Sequence, residues 1–353
     1  MAALHDRPPA VTAVATAVVG ALIALVLGLV TFGVQATVHP EAVPLAVAVG
    51  PDAPPQLRGV ADKLAGAGTA EVTWRVTTPG EARDLLSRQE VYGVLELAPA
   101  GATVVLSGAV NPSGTQVAQQ VLAGVTQGAG MQAQVLMLNP ASAAGRTAPL
   151  AASALLWITG LIAGAAFTAL ARRPNTVSRL VGATTATVLG VAVVAGFFAL
   201  WDSALPLGWD VLGYLALLAG AFALVQGALL RLLGIRAMAL LGPMYLIAPA
   251  VAGQVPELLD PVYRALLWSW TPFRFSAEGL RALLNGGSPD TAQVWVFVGM
   301  AAVGLAVLLL PKKVLPEKGL AGKEGQPDLA DGVVDVRVDQ ADGLPGAQRQ
   351  HTA

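Results

Sequence analysis

The chain has 353 residues, 55% hydrophobic and 12% charged, with a mean hydropathy of +0.64; a soluble domain carries about 25% charged residues, so this composition points to a bilayer. A net charge of −1 provides no global field that would recruit nucleic acid or an anionic surface, and electrostatics acts only through the position of each charge. Cysteine is absent, which excludes disulfides, thiolate metal sites and a cysteine nucleophile, while His5, His39 and His351 stand too far apart in sequence to suggest a histidine metal site.

A helix needs about 20 apolar residues to cross the hydrocarbon core, where it must satisfy its own backbone. Six segments meet or approach that length: 11–36, 149–171, 180–200, 211–230, 237–253 and 294–311. The first is read as a retained anchor. Val34-Gln35-Ala36 loosely resembles a cleavage site, but the apolar run from Ala10 to Val34 exceeds the roughly 7–15 residues of a signal core.

Residues 37–148 are long enough for a small α+β domain. "PLAVAV" and "AEVTWRV" read as strands, each followed by a polar helical pattern, and "VYGVLEL" and "ATVVLSG" read as a hairpin. Asn111-Pro112-Ser113 starts a helix predicted to run on through "TQVAQQVLAGVTQGAGMQAQVL", giving a βαβαββα order. No catalytic set emerges: Ser87 and Ser107 have no nearby histidine, and the carboxylates are scattered. "GAGTAE" has Glu71 where a dinucleotide fingerprint needs its third glycine, so it reads as a turn, and no Walker phosphate loop occurs.

In the second segment Gly160 and Gly164 stand four apart, which permits close helix packing. The loop "ARRPNTVSR" carries Arg172, Arg173 and Arg179, which read as topology determinants and as a candidate docking surface for a partner. Thr184, Thr185 and Thr187 can return hydrogen bonds to their own helix. Asp202 and Asp210 flank Trp201 and Trp209 at a predicted aromatic belt, and Gln226 is placed to bond across to a neighbouring helix. No ionisable residue falls near a midplane, against the expectation for a proton-coupled carrier or an intramembrane enzyme. Pro243 and Pro249 predict a kinked or broken fifth segment.

Counted beside alternate segment ends, the bases divide ten against three. Arg7, Arg172, Arg173, Arg179, Arg231, Arg236, Lys312, Lys313, Lys318 and Lys323 fall on one side, and Arg264, Arg274 and Arg281 on the other. The positive-inside rule then predicts both termini in the cytoplasm and 37–148 outside. The last residues, 312–353, are polar and aperiodic and predict a disordered cytoplasmic tail, in which "GVVDVRVDQ" alternates like a strand without a neighbour.

Between the fifth and sixth segments lies "VPELLDPVYRALLWSWTPFRFSAEGLRALLNGG". Arg274, Glu278 and Arg281 occur at i, i+4 and i+7, with leucines mainly on another face. This predicts an amphipathic helix over 271–285, lying along the outer interface with its charges paired to each other and to water. The string resembles the pattern of ABC type-2 exporter permeases, in which a "P-x-x-(aromatic)-x-x-x-G-L-R" helix precedes the last span; Pro272, Phe275, Gly279, Leu280 and Arg281 occupy those places. "VYGVLELAPAG", residues 91–101, is similar to a strand of the YhgE/Pip-like branch of that group.

The resemblance implies an α-helical membrane protein with six transmembrane helices and a small α+β extracytoplasmic domain between the first and second. The domains would be 1–36, 37–148, a five-helix membrane part over 149–311, and the tail 312–353. It further implies a homodimer or heterodimer of permeases in the lipid bilayer of the cell membrane, exporting an amphipathic or apolar substrate with a separate nucleotide-binding ATPase subunit. The chain itself would have no catalytic residues, cofactor or metal. It departs from the family where coupling occurs: ten residues precede the first span, and "ARRPNTVSR" lacks the acidic and Gly-Thr residues of a coupling helix. The alternative expectation is a non-transporting envelope scaffold or receptor that holds a partner through 37–148.

Overall fold

The computed structural model describes residues 9–66, 68–171 and 174–311. The predicted tail 312–353 lies outside the described residues, as do Arg172 and Arg173. The described residues belong to one compact unit.

Helix α1 spans Pro9–Ala36 and leads into a five-stranded sheet. Its strands are β1 (Val43–Val49), β2 (Val72–Thr77), β3 (Val94–Ala98), β4 (Gly101–Ser107) and β5 (Ala133–Leu138), interleaved with α2 (Pro55–Gly66), α3 (Pro79–Ser87) and α4 (Pro112–Gly128). The strand order is β2-β1-β3-β4-β5, parallel except for the β3–β4 hairpin. β1 reads as an apolar run because it lies between two strands and is packed on both faces, as parallel strands are. Local chemistry starts the helices: Thr78 accepts from the Glu81 amide, and Asn111 accepts from the Ser113 amide with Pro112 in the first turn.

The order is therefore βαβαββαβ, which corrects the expected βαβαββα. α4 stops at Gly128, Gly130 takes a left-handed turn at φ +65°, and "AQVLML" pairs with β4. A short apolar run has no period that separates a helix end from a strand, and here the free edge of β4 decides.

The bundle follows: α5 (Ala143–Leu170), α6 (Thr176–Trp201), α7 (Trp209–Leu233), α8 (Met238–Ala252), a one-turn α9 (Pro261–Tyr263) continued by a π-helical turn at Arg264–Trp268, α10 (Pro272–Leu284) and α11 (Thr291–Leu309). Capping boxes Asn175–Ser178 and Asp290–Gln293 open α6 and α11, and Ser142 caps α5 while donating to Asp202 at the end of α6. Among the described residues, four stretches are long and apolar enough to cross a membrane: Ala143–Leu170, Thr176–Trp201, Trp209–Ala252 and Thr291–Leu309. The third contains both α7 and α8, divided at the left-handed Gly234. α8 carries Pro243 and Pro249 inside a helix of 15 residues.

The bundle core is aromatic. Trp157 lies with its ring 5.2 Å from Phe222 and 5.3 Å from Phe273, and Phe222 lies 5.8 Å from Phe297, so α5, α7, α10 and α11 meet at one cluster. Gln226, on α7, donates to the Trp157 carbonyl at 2.9 Å, the cross-helix bond expected of it. Gly160 and Gly164 face Gln226 and Leu230 of the same helix, so their close packing lies within this bundle. Thr187 returns its hydroxyl to the Ala183 carbonyl at 2.9 Å.

Candidate functional site

α10 is built as expected, from Pro272 to Leu284, but its setting differs from the prediction. Its apolar side packs on the bundle and its charged side faces the sheet domain, so part of the face expected to meet water is covered. On the bundle side Phe273 and Leu280 are fully buried, and Ser276 donates to Ser153 of α5 at 2.7 Å. Gly279 faces the Tyr214 ring of α7; a Cβ there would lie 2.2 Å from the hydroxyl oxygen, and that hydroxyl donates to the Phe275 carbonyl at 3.2 Å. The glycine of the "G-L-R" string is thus the place where α10 and α7 approach.

The charged side meets the sheet. Glu278 and Arg281 line a cavity of about 180 Å3 with Gln89, Tyr92 and Asn111 of the sheet domain. Glu278 also lines a cleft of about 720 Å3 that reaches Arg88, Asn139, Asn285 and Asp290. Gln89, just past α3, and Asn139, just past β5, both take left-handed backbone, at φ 60° and 47°, and both line that larger cleft. The two bodies are joined beside it. Tyr92 donates to Glu257 at 2.7 Å, the Glu41 amide donates to the Glu257 carbonyl at 2.8 Å, and Val255 and Leu258 complete the sheet core.

The three charges of α10 have different environments. The Arg274 guanidinium stacks 3.7 Å from the Trp268 ring centre and 4.2 Å from that of Phe275, with Glu278 3.7 Å away. Burial lowers the Arg274 pKa, against the pull of the Glu278 charge. Burial raises the Glu278 pKa, opposed by Arg274, Arg281 and the Gln293 amide. Arg281 is 6% exposed, and burial lowers its pKa against the same carboxylate. The expected pairing of these charges with one another holds for Arg274 and Glu278. The expected exposure to water fails for Arg281, because the sheet domain covers that face.

Pro272 and Phe275 take their places in the first turn of α10. Arg179, the described member of the predicted docking loop, lies in the first turn of α6, with its guanidinium 5.9 Å from the Phe167 ring centre. A feature the sequence reading missed is an apolar groove of about 720 Å3 between α5 and α6, floored by Ala223 and Gly227 of α7. Its signal was present in the small residues Gly182, Ala183 and Ala186, which leave one face of α6 without bulk. Among the described residues no group of three or more His, Cys, Asp or Glu side chains is placed to hold a metal ion. The arrangement supports packing and binding chemistry.

Four apolar stretches of crossing length, together with a five-stranded sheet domain, place the chain among helical membrane proteins. No protein-family model, curated protein or solved structure matches it.

Proposed function

We propose that the chain is the membrane subunit of an exporter, an ABC type-2-like permease that works as a dimer with a separate nucleotide-binding ATPase and moves an amphipathic or apolar substrate outward. In this reading α1 is a span and the stretch Trp209–Ala252 makes two, α7 and α8, giving six spans with α5, α6 and α11; both termini are cytoplasmic, and the sheet domain stands outside the cell membrane. The observation that carries the reading is the position of α10, an amphipathic helix directly before the last apolar helix, clamped between sheet domain and bundle. α10 touches α5, α7, α8 and α11 and shares a cavity with the sheet domain, which in this reading makes it the link through which the bundle acts on the outer domain. The spans also offer small and aromatic walls without a carboxylate at depth, which suits an apolar path better than a proton relay.

The test is to purify the chain from its native membrane and to measure ATP hydrolysis with and without co-purifying proteins. The permease reading expects none from the chain alone and activity with a nucleotide-binding subunit bound. Repeated recovery without such a subunit, together with a partner that is lost when 37–148 is deleted, would replace the permease by the scaffold alternative.

A further inference from the structure

The groove between α5 and α6 has a length and a polarity that match one leaflet of a bilayer. It follows α6 from Asn175 to Leu189; fourteen steps at about 1.5 Å each make about 21 Å. Half of the hydrocarbon core is about 15 Å, which leaves about one headgroup's depth beyond the chain region. Its volume of about 720 Å3 falls within the roughly 300–1,000 Å3 of ligand pockets. The long walls are mostly apolar, with Thr159 and Thr168 returning their hydroxyls to their own helix and Thr185 midway along α6, while the groove's amide and charged side chains, Asn175 and Arg179, stand with Ser178 at one end.

That end is electropositive. Among the described residues the Arg179 guanidinium has no carboxylate within 4.0 Å and no hydrogen-bond acceptor, whereas the nearby Arg231 donates to the Val307, Leu308 and Leu310 carbonyls at the end of α11. The N-terminus of α6 adds its partial positive charge at the same level. Arg172 and Arg173 precede it in sequence.

We infer that the α5–α6 groove binds one anionic phospholipid, with an acyl chain laid along the groove and the phosphate headgroup on Arg179. The inference rests on the exporter reading only for the leaflet, which that reading makes the cytoplasmic one. There the groove would be the place where a lipid of the inner leaflet meets the permease.

The test uses the full chain alone, reconstituted in phosphatidylcholine vesicles doped with spin-labelled phosphatidylglycerol or spin-labelled phosphatidylcholine, and reads the immobilised lipid fraction. One arginine near the surface is worth about a fivefold preference for the anionic lipid. Arg179→Gln should lose about that factor, and Arg179→Lys should keep it. Gly182→Phe, which fills the groove from a position with nothing within 4 Å of its Cβ, should remove immobilised lipid of both kinds, while Gly182→Ala changes neither. A full anionic preference in Arg179→Gln overturns the inference. So does a Gly182→Phe protein that keeps its lipid, or one that breaks a dimer without releasing lipid, which would make the groove a seat for a second copy. None of these readings involves ATP hydrolysis, so the lipid site and the exporter reading stand or fall separately.

Discussion

Glu278 is the residue at which the two bodies meet electrostatically. Its neighbours are Arg274 and Arg281 on its own helix, Gln293, whose amide lies 3.4 Å from its carboxylate, and Asp290 at the start of α11. A carboxyl whose pKa is higher in the folded state than in the unfolded one binds extra protons when folded. The associated stability is complete below the unfolded glutamate value of about 4.3 and is lost as pH rises through the raised folded value. Other groups titrate in the same range, so the informative quantity is a difference. The melting temperature of the wild type minus that of Glu278→Gln, followed in detergent, should fall as pH rises from about 4.3; a difference that is flat or rises with pH would show that burial does not govern this carboxyl. The α10 spacing revealed these charges as one helical face, but the sheet that covers them comes from more than 130 residues earlier in the chain, and no local pattern records that contact.

Among the elements, α7 and α11 pack most closely where Gly304 meets the α7 backbone. A Cβ at Gly304 would lie 2.6 Å from the Leu224 carbonyl carbon and 2.8 Å from the Val225 nitrogen, atoms that no rotamer change can move aside. Gly304→Ala should therefore push the two helices apart at a cost of about 1–3 kcal/mol. Gly299→Ala, on the same helix with nothing within 4 Å, should be neutral or slightly stabilising. Thermal unfolding of the two variants side by side checks this, and equal melting temperatures would refute it. The same scale shows what pattern reading missed. The residues of β5 read locally as the end of a helix because their pairing partner, β4, lies across a turn and a whole helix, and a strand's stability comes from that partner. α10 was legible because its amphipathic period, its proline start and its Gly-Gly stop are all local.

For the whole molecule, sidedness decides what the structure means. The division of lysine and arginine among the segment ends predicts 37–148 outside, and the absence of cysteine makes the chain its own labelling background. A single cysteine at the exposed Gln134 of β5 should react with a membrane-impermeant maleimide on intact cells, whereas one at Lys318 should react only after permeabilisation. The reverse pattern would put the sheet domain in the cytoplasm and end the exporter reading.

By itself the sequence determined the solvent and the units. Long apolar runs have to be helices in lipid because nothing else there hydrogen-bonds the backbone, and the polar block between the first two had enough alternation to form a sheet of its own. Only the tertiary structure decided which faces meet. It placed Arg281 under the sheet, Tyr214 against Gly279, and an open apolar groove with Arg179 at its end. Such contacts join residues far apart in the chain, and periodicity carries information only over a few turns.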